Sequence, residues 1–491
     1  MFHPKVILRI VGILLFIEAA FLLGSIGVSL FYDEATTRPL LYSFGTIAAV
    51  AFLLVTLCKG GERNVSRKDG YVVVTLCWVV FSLFGTLPYM LTNSIPNFTD
   101  AFFETMSGFT TTGATILQDI ESLPRSILFW RMMTHWVGGL GIVFFTVAVF
   151  PMFGLNDINL FSAESVGPMR SKLHPRISVT ARWILTIYIA LTVACAVSLR
   201  IAGMDWFDAV CHSMSTIATG GFSTKQASIA AFNSPAIEYV ITFFMFVSGV
   251  NLSLLYLAIF KVRPMALLRD TEFKTYFAIV LSFSLVIAGG LFLTSTSGAE
   301  ESIRASLFQV VSLQTTTGFA TVNYVEWVPL LWLLLCALMF IGACSGSTSG
   351  AMKCARISIL FKVVWNEFKR IVHPNAVIPV RMTGRIIPSG VQSAILAYTV
   401  IYIFMLVAGL FVNMAFGAVG SGGGMDFLDA FTLSVTSVGN VGPAFGHYGP
   451  MDSFATLPAV VKWFSAFQML VGRLEFFAVL LLLTPMFWRR R

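Results

Sequence analysis

What most constrains this chain is a series of apolar stretches, each long enough to cross a lipid bilayer, recurring from one end to the other. A helix that crosses the hydrocarbon core needs about 20 mainly apolar residues. Segments of that kind cover 5–31, 37–58, 71–92, 127–153, 181–202, 234–260, 274–296, 327–373, 391–416 and 456–487. A soluble domain of 491 residues could not hide so much apolar surface, since 57% of the residues are hydrophobic and only 11% are charged. The chain therefore reads as a single all-α integral membrane unit with no appended soluble domain. No small-residue cleavage site follows the first run, so 5–31 is expected to be a retained helix and not a signal peptide.

The formal net charge of +8 raises the question of nucleic acid, and the placement of the charges answers it. Lys59, Arg63, Arg67 and Lys68 share one loop; Arg170, Lys172, Arg176 and Arg182 share another. Lys261, Arg263, Arg269 and Lys274 mark a third, and Lys353, Arg356, Lys362, Lys369, Arg370, Arg381 and Arg385 a fourth. The chain closes on Arg489, Arg490 and Arg491. Alternate loops carry acids instead, among them Asp100, Asp119, Glu121, Asp205, Asp208, Glu300, Glu301, Glu326, Asp426, Asp429 and Asp452. This is the positive-inside pattern, and it places the basic loops and both termini in the cytoplasm. A nucleic-acid surface would gather its basic residues on one face. The seven cysteines form no Cys-x-x-Cys pair, so neither a zinc site nor a disulfide framework is indicated.

Between alternate pairs of spans lie four stretches too short to cross and too apolar to be ordinary loops, at about 99–116, 207–224, 303–321 and 427–444. They are a repeat: DAFFETMSGFTTTGAT from Asp100, DAVCHSMSTIATGGFST from Asp208, RASLFQVVSLQTTTGFAT from Arg304 and DAFTLSVTSVGNVGPA from Asp429. A glycine closes each polar run 13 residues after the leading residue, or 14 in the third copy. The unit is helix, re-entrant segment, helix, repeated four times. Residues 1–69 form an extra helix pair, followed by pore repeats at 70–153, 154–262, 263–375 and 376–491.

Such a unit suits a cation. Each re-entrant segment is expected to begin at a capping residue (Thr99 or Asp100, Asp208, Asp429). The carboxyl end of each short helix then points inward, where its partial negative charge favours a cation. Glycine in the run that follows lets carbonyl oxygens turn to the axis, and a ring of carbonyls can replace the hydration shell of a potassium ion. The stretches concerned are Thr111, Thr112 and Gly113; Thr219, Gly220 and Gly221; Thr316, Thr317 and Gly318; and Asn440, Val441 and Gly442. The backbone is expected to coordinate while the side chains hold the strand. Asp100, Asp205, Asp208, Asp426 and Asp429 are candidates to draw cations to the mouth, with capping the favoured role for the three that lead the repeats.

The segment 327–373 is too long for one span and breaks at Cys344, Ser345, Gly346, Ser347, Thr348, Ser349 and Gly350. Exposed carbonyls and hydroxyls are costly in lipid, so the break should line the path, just below the third run. A flexible polar plug there is a candidate gate; a packing break is the alternative. Arg473 lies in the last span, where a buried arginine should face the pore or a partner. The carbonyls of the 344–350 loop are one candidate partner, which makes Arg473 a second gate element; a structural salt bridge is the alternative. Arg131 and His135 share a helix face and read as packing or a helix contact. Lys462 and Glu18 suggest no role.

These residues closely resemble the Trk/Ktr/HKT superfamily of potassium transport proteins over essentially the whole chain. The likeness rests on TTTGAT (110–115), IATGGFS (217–223), QTTTGFAT (314–321), SVGNVGPAFG (437–446), GACSGSTSGAMK (342–353) and QMLVGRLEFF (468–477). The resemblance implies four M1–pore helix–M2 units around a pseudo-fourfold pore, with filter glycines at Gly113, Gly221, Gly318 and Gly442. Gly220 and Gly439 compete for two of those assignments. It also implies gated potassium uptake across the bacterial cytoplasmic (inner) membrane, a homodimer with one pore per subunit, and a TrkA-like cytosolic nucleotide-binding ring as regulator. In the family the 344–350 loop blocks the path, and the arginine matching Arg473 lies near it and hinders ions. No cofactor is expected, and potassium is the expected substrate. A carrier for an organic solute would show broken helices in paired halves, whereas this sequence shows one clear break and four equivalent segments. A membrane enzyme would need converging ionisable residues, and no catalytic motif is present.

Overall fold

The computed structural model describes residues 3–58, 66–144, 177–294, 298–417 and 425–489. Lys59, Arg63, Arg170, Lys172, Arg176, Arg490 and Arg491, which carry much of the charge pattern, lie outside the described residues. Almost everything described is helical; the strand pairing among the described residues is Arg381–Met382 against Arg385–Ile386, antiparallel.

Pro4–Phe31 and Thr37–Leu57 form an antiparallel hairpin. At Gly12 an added Cβ would lie 2.9 Å from Leu54 Cβ and 3.0 Å from the Ala51 carbonyl, so the absent side chain lets the two backbones approach. The first helix also packs on Arg67–Phe84 and Arg125–Phe144 and has 56% of its apolar window buried, against 22% for the second. The second helix is thus the outer one, left to face lipid.

Four sets of elements follow. Each places a short helix between two others: Phe98–Phe109, Trp206–Ile217, Ala299–Gln314 and Phe427–Gly439, here the first to fourth pore helices. They hold 12, 12, 16 and 13 residues, and at 1.5 Å per residue even the longest falls short of the roughly 30 Å hydrocarbon core. Their surroundings are protein on almost every side.

The helix after the third pore helix is interrupted as expected, ending at Ile341 and resuming at Cys354. Two more breaks occur. Pro235–Ser248 and Leu252–Ile259 meet at a 103° bend, and Ala459–Arg473 stops before Phe477–Leu482. Among the described residues the single break expected from sequence is therefore corrected to at least three. At the first, one helix closes on Gly249 and Asn251 caps the next, its side-chain oxygen accepting from Ser253 N at 2.8 Å. At the second, Glu475 and Phe476 adopt left-handed backbone (φ 55° and 61°), held by a Glu475–Arg356 ion pair and by Phe476 packing on Tyr398 and Tyr402.

Candidate ion path

All four pore helices end in the same way. The residue before each run's glycine donates its N–H to a carbonyl five residues back: Thr112 to Ser107 at 2.9 Å, Gly220 to Ser215 at 2.9 Å, Thr317 to Ser312 at 2.8 Å and Val441 to Thr436 at 3.1 Å. The residue before that is left-handed, with φ 52° at Thr111, 53° at Thr219, 57° at Thr316 and 52° at Asn440. This is the Schellman closure of a helix, built here on threonine or asparagine where glycine is usual. A left-handed turn costs an L-residue about 1–2 kcal/mol, and asparagine tolerates it best.

The next residue but one is the glycine, again at positive φ: 84° at Gly113, 87° at Gly221, 81° at Gly318 and 107° at Gly442. Each glycine presses on the carbonyl of the run in the following repeat. An added Cβ would lie 2.2 Å from Gly220 O at Gly113, 2.0 Å from Thr317 O at Gly221, 2.1 Å from Val441 O at Gly318 and 2.6 Å from Thr112 O at Gly442. The contacts run from repeat one to two, two to three, three to four and back to one. They close a ring that no side chain could enter, with the carboxyl ends of four helices beside it. The competing glycines have other reasons to be small. Gly220 backs onto His135, whose Nδ1 would lie 2.2 Å from an added Cβ, and at Gly439 an added Cβ would lie 3.2 Å from the Met339 carbonyl oxygen.

Side chains tie the runs down from behind. Asn440 Nδ2 donates to Thr112 Oγ1 at 3.0 Å and to the Met469 carbonyl at 2.9 Å. The hydroxyls of Thr110 and Thr112, and of Thr315 and Thr317, lie 2.8 Å apart.

The expected caps are corrected. The capping side chains are Asn97, Asp205 and Asp426, three residues upstream of Asp100, Asp208 and Asp429; the third pore helix starts at Gly298 with no side-chain cap. The three leading acids sit inside the first turn and reach to other segments. Asp100 takes Lys462 Nζ at 2.6 Å, Asp208 takes the Thr224 hydroxyl at 2.8 Å, and Asp429 takes both His447 N at 2.9 Å and His447 Nδ1 at 2.8 Å. Lys462, obscure in sequence, thus joins the last helix to the first repeat. Glu18 is buried, and its carboxyl oxygens have no hydrogen-bond partner among the described residues.

Below the ring, residues 342–353 cross the interior as a loop. Thr348 Oγ1 donates to the Ile217 carbonyl at 3.1 Å, Cys344 N to Gly249 O at 3.0 Å, and Gly350 N to Thr316 Oγ1 at 2.7 Å. Asn251 Nδ2 donates to Ser345 O at 2.6 Å, and Glu272 accepts from Ser345 N at 2.5 Å and from Ala355 N at 3.2 Å. Ser347 and Ser349 hydroxyls lie 2.9 Å apart, and Leu252 N donates to Gly346 O at 3.2 Å. Arg473 does face this loop: Nη1 donates to Thr348 O at 2.7 Å and Nη2 to Gly138 O at 3.0 Å. Two residues counted above as cytoplasmic surface charge are buried instead. Lys353 Nζ donates to the Ser349 carbonyl, and Arg356 pairs with Glu475 at 2.5 Å beneath the Tyr398 ring. Asn251, Glu272 and Glu475 give no signal in the sequence because each is a single polar residue with no pattern around it.

Comparison with known proteins agrees with this architecture. Residues 41–490 match the family model TrkH, described as a cation transport protein. The chain is 38% identical over 494 residues to the Trk system potassium uptake protein TrkH of Escherichia coli strain K12, covering 99% of this chain and all of that one. It is 32% identical to TrkG of the same strain, again over 99% of both chains. The crystal structure of the potassium transporter TrkH from Vibrio parahaemolyticus superimposes with a TM-score of 0.88 at 35% identity, covering 99% of each chain. With six helices among the described residues long and apolar enough to cross a membrane, or seven when the bent pair counts as one span, the chain belongs to the TrkH family of cation transport proteins and is a membrane transporter, not an enzyme.

Proposed function

We propose that this chain takes up potassium across the bacterial cytoplasmic membrane through a filter of backbone carbonyls, gated from below by the 345–350 loop and Arg473. The observation that carries this reading is the closed ring of glycine–carbonyl contacts, since it requires four runs to meet at one axis with positive φ in each. Carbonyls there can take the place of an ion's water shell, and the adjoining helix ends favour positive charge. The names of the full-length relatives, potassium uptake proteins, support potassium as the ion.

Ser345, Gly346, Ser347, Thr348, Ser349 and Gly350 form the plug in this reading, and Arg473 both pins it and opposes a cation electrostatically. Both termini and the basic loops face the cytoplasm by the positive-inside rule. The chain works as a homodimer with one pore per subunit. An apolar row along Cys354–Val372, formed by Phe361, Val364, Trp365, Phe368 and Ile371, is more than half exposed and offers a face for a second copy. A cytosolic nucleotide-binding ring docks on the basic segments at 170–182 and 353–385, in the second on the exposed charges that follow the buried Lys353 and Arg356; the first lies largely outside the described residues.

The test is tracer uptake into liposomes holding the purified protein. Potassium should compete with tracer rubidium far better than sodium does. Equal competition by the two ions in an active preparation would overturn the filter.

A further inference from the structure

The ring is nearly symmetric, but what stands behind it is not. Nine residues before each filter glycine lie Glu104, His212, Gln309 and Leu433, all buried to at least 99%. In three repeats this position reaches the strand that leaves the ring. Glu104 accepts from Thr115 Oγ1 at 2.9 Å and from Ile116 N at 2.9 Å, two and three residues past Gly113. His212 Nδ1 faces the Asp208 carbonyl at 2.8 Å, which can only accept, so the proton sits on Nδ1. Its Nε2 is then free to accept from the Ser223 hydroxyl at 2.9 Å, two residues past Gly221. Gln309 Nε2 donates to Thr321 Oγ1 at 3.3 Å, three residues past Gly318. Leu433 can do none of this, and the neighbouring Thr432 hydroxyl meets Phe445 N at 3.2 Å in its place.

The first brace is also the charged one. Arg131 Nε donates to Glu104 at 2.7 Å with both side chains buried. Its Nη1 donates to the Ser223 carbonyl at 2.8 Å, and its guanidinium lies 3.6 Å from the centre of the Phe222 ring. One side chain thus fastens the outgoing strands of repeats one and two to each other. Charge-assisted hydrogen bonds are roughly twice as strong as neutral ones, so this half of the ring is held more firmly than the half braced by an amide and a hydroxyl.

We propose that Glu104 and Arg131 are positioning residues that set ion preference, by fixing the separation of the first two filter strands. The inference rests on the filter reading above. Two variants probe it. Arg131→Lys keeps the charge but cannot span Glu104 and Ser223 together. Thr115→Val removes the hydroxyl that donates to Glu104 and also accepts from Leu117 N at 3.1 Å, and at a half-buried position leaves the fold in place. Rubidium uptake into liposomes, competed by potassium or sodium, gives the preference; a thermal midpoint gives the stability. Both variants should let sodium compete about tenfold better relative to potassium, a change of about 1.4 kcal/mol in discrimination. Folded variants with the wild-type preference overturn the inference, even if their thermal midpoints fall, because a purely structural brace would move stability alone. Gly318→Ser in the same assay separates the two failures. If it alters preference while the brace variants do not, only the brace fails; if it too is without effect, the filter reading fails first.

Discussion

Gly318→Ser is the sharpest test of the ring, and its size can be worked out from the structure. Gly318 sits at φ 81°, and an added Cβ would lie 2.1 Å from the Val441 carbonyl oxygen and 2.7 Å from Pro443 Cδ. Neither neighbour is the free end of a flexible side chain, so the strand itself must retreat, by roughly 1 Å to regain ordinary van der Waals contact. The left-handed backbone costs about 1–2 kcal/mol for a residue with a Cβ, and overpacking adds roughly 1–3 kcal/mol. Against a typical stability of about 5–15 kcal/mol the protein should still fold. The ring should not survive intact, because a carbonyl cage fitted to an ion cannot move one wall by roughly 1 Å and keep its coordination. Sodium should compete with rubidium at least about tenfold better, the equivalent of about 1.4 kcal/mol. Gly289→Ser is the matched control, since nothing lies within 4 Å of its Cβ position; it should leave uptake unchanged. A folded Gly318→Ser protein with normal preference would refute the reasoning, and Gly221→Ser, with an overlap of 2.0 Å at φ 87°, should repeat whatever Gly318→Ser does.

Three other outcomes follow from the loop and the mouth. Arg473→Ala removes charged hydrogen bonds to Thr348 O and Gly138 O, each worth about 1.5–3 kcal/mol, so basal tracer uptake should rise, by up to about a hundredfold if closure loses roughly 3 kcal/mol. Glu272→Gln replaces a carboxylate that accepts from Ser345 N and Ala355 N and should raise basal uptake by a smaller factor; uptake at or below wild type would count against the latch. At the mouth, the hydrogen bond that His447 Nδ1 donates to Asp429 holds the exposed imidazole above its ordinary pKa, with Asp426 and Asp452 adding to it. The folded state therefore prefers the protonated form. Its contribution to stability is complete below the ordinary histidine value and is lost as pH rises through the raised one. The thermal midpoint should decline across that window, and His447→Gln should remove this part of the pH dependence.

Much of this is legible in the sequence because it repeats. Four polar runs at matched spacing point to Gly113, Gly221, Gly318 and Gly442, with Gly220 and Gly439 left as competitors, and a Gly/Ser cluster points to the break at 342–353. What stays hidden lacks a repeat or a periodicity. The bend at 249–251 turns on Asn251, a common polar residue, and the break at 474–476 has no glycine or proline; it is imposed by Arg356 and Tyr398 from distant parts of the chain. The misplaced caps have a simpler cause. Two acids three residues apart, such as Asp205 with Asp208 or Asp426 with Asp429, are equally good caps by composition. Only the partner beyond the glycine run, Thr224 or His447, shows which one is engaged elsewhere. Glu104 gives no sign of its role because one carboxylate in a short apolar segment declares nothing until Arg131 is brought to it from 27 residues away.

A single chain with four unequal repeats can do something that four identical subunits cannot. The loop belongs to the third repeat alone, yet its polar groups, together with Arg473, engage every repeat. Thr348 and Cys344 reach the second through Ile217 O and Gly249 O, Gly350 reaches the third at Thr316, and Ala351 reaches the fourth at Gly439 O. The first repeat joins through Arg473, which holds Thr348 O and Gly138 O at once. With one loop bonded to all four repeats, a displacement of any of them loosens the same segment. If the loop is the gate, a partner on the cytoplasmic side need not push on the plug directly. Moving Cys354–Val372, which begins where the loop ends and whose Ala355 N shares Glu272 with Ser345 N, would draw the loop away from its partners in every repeat together.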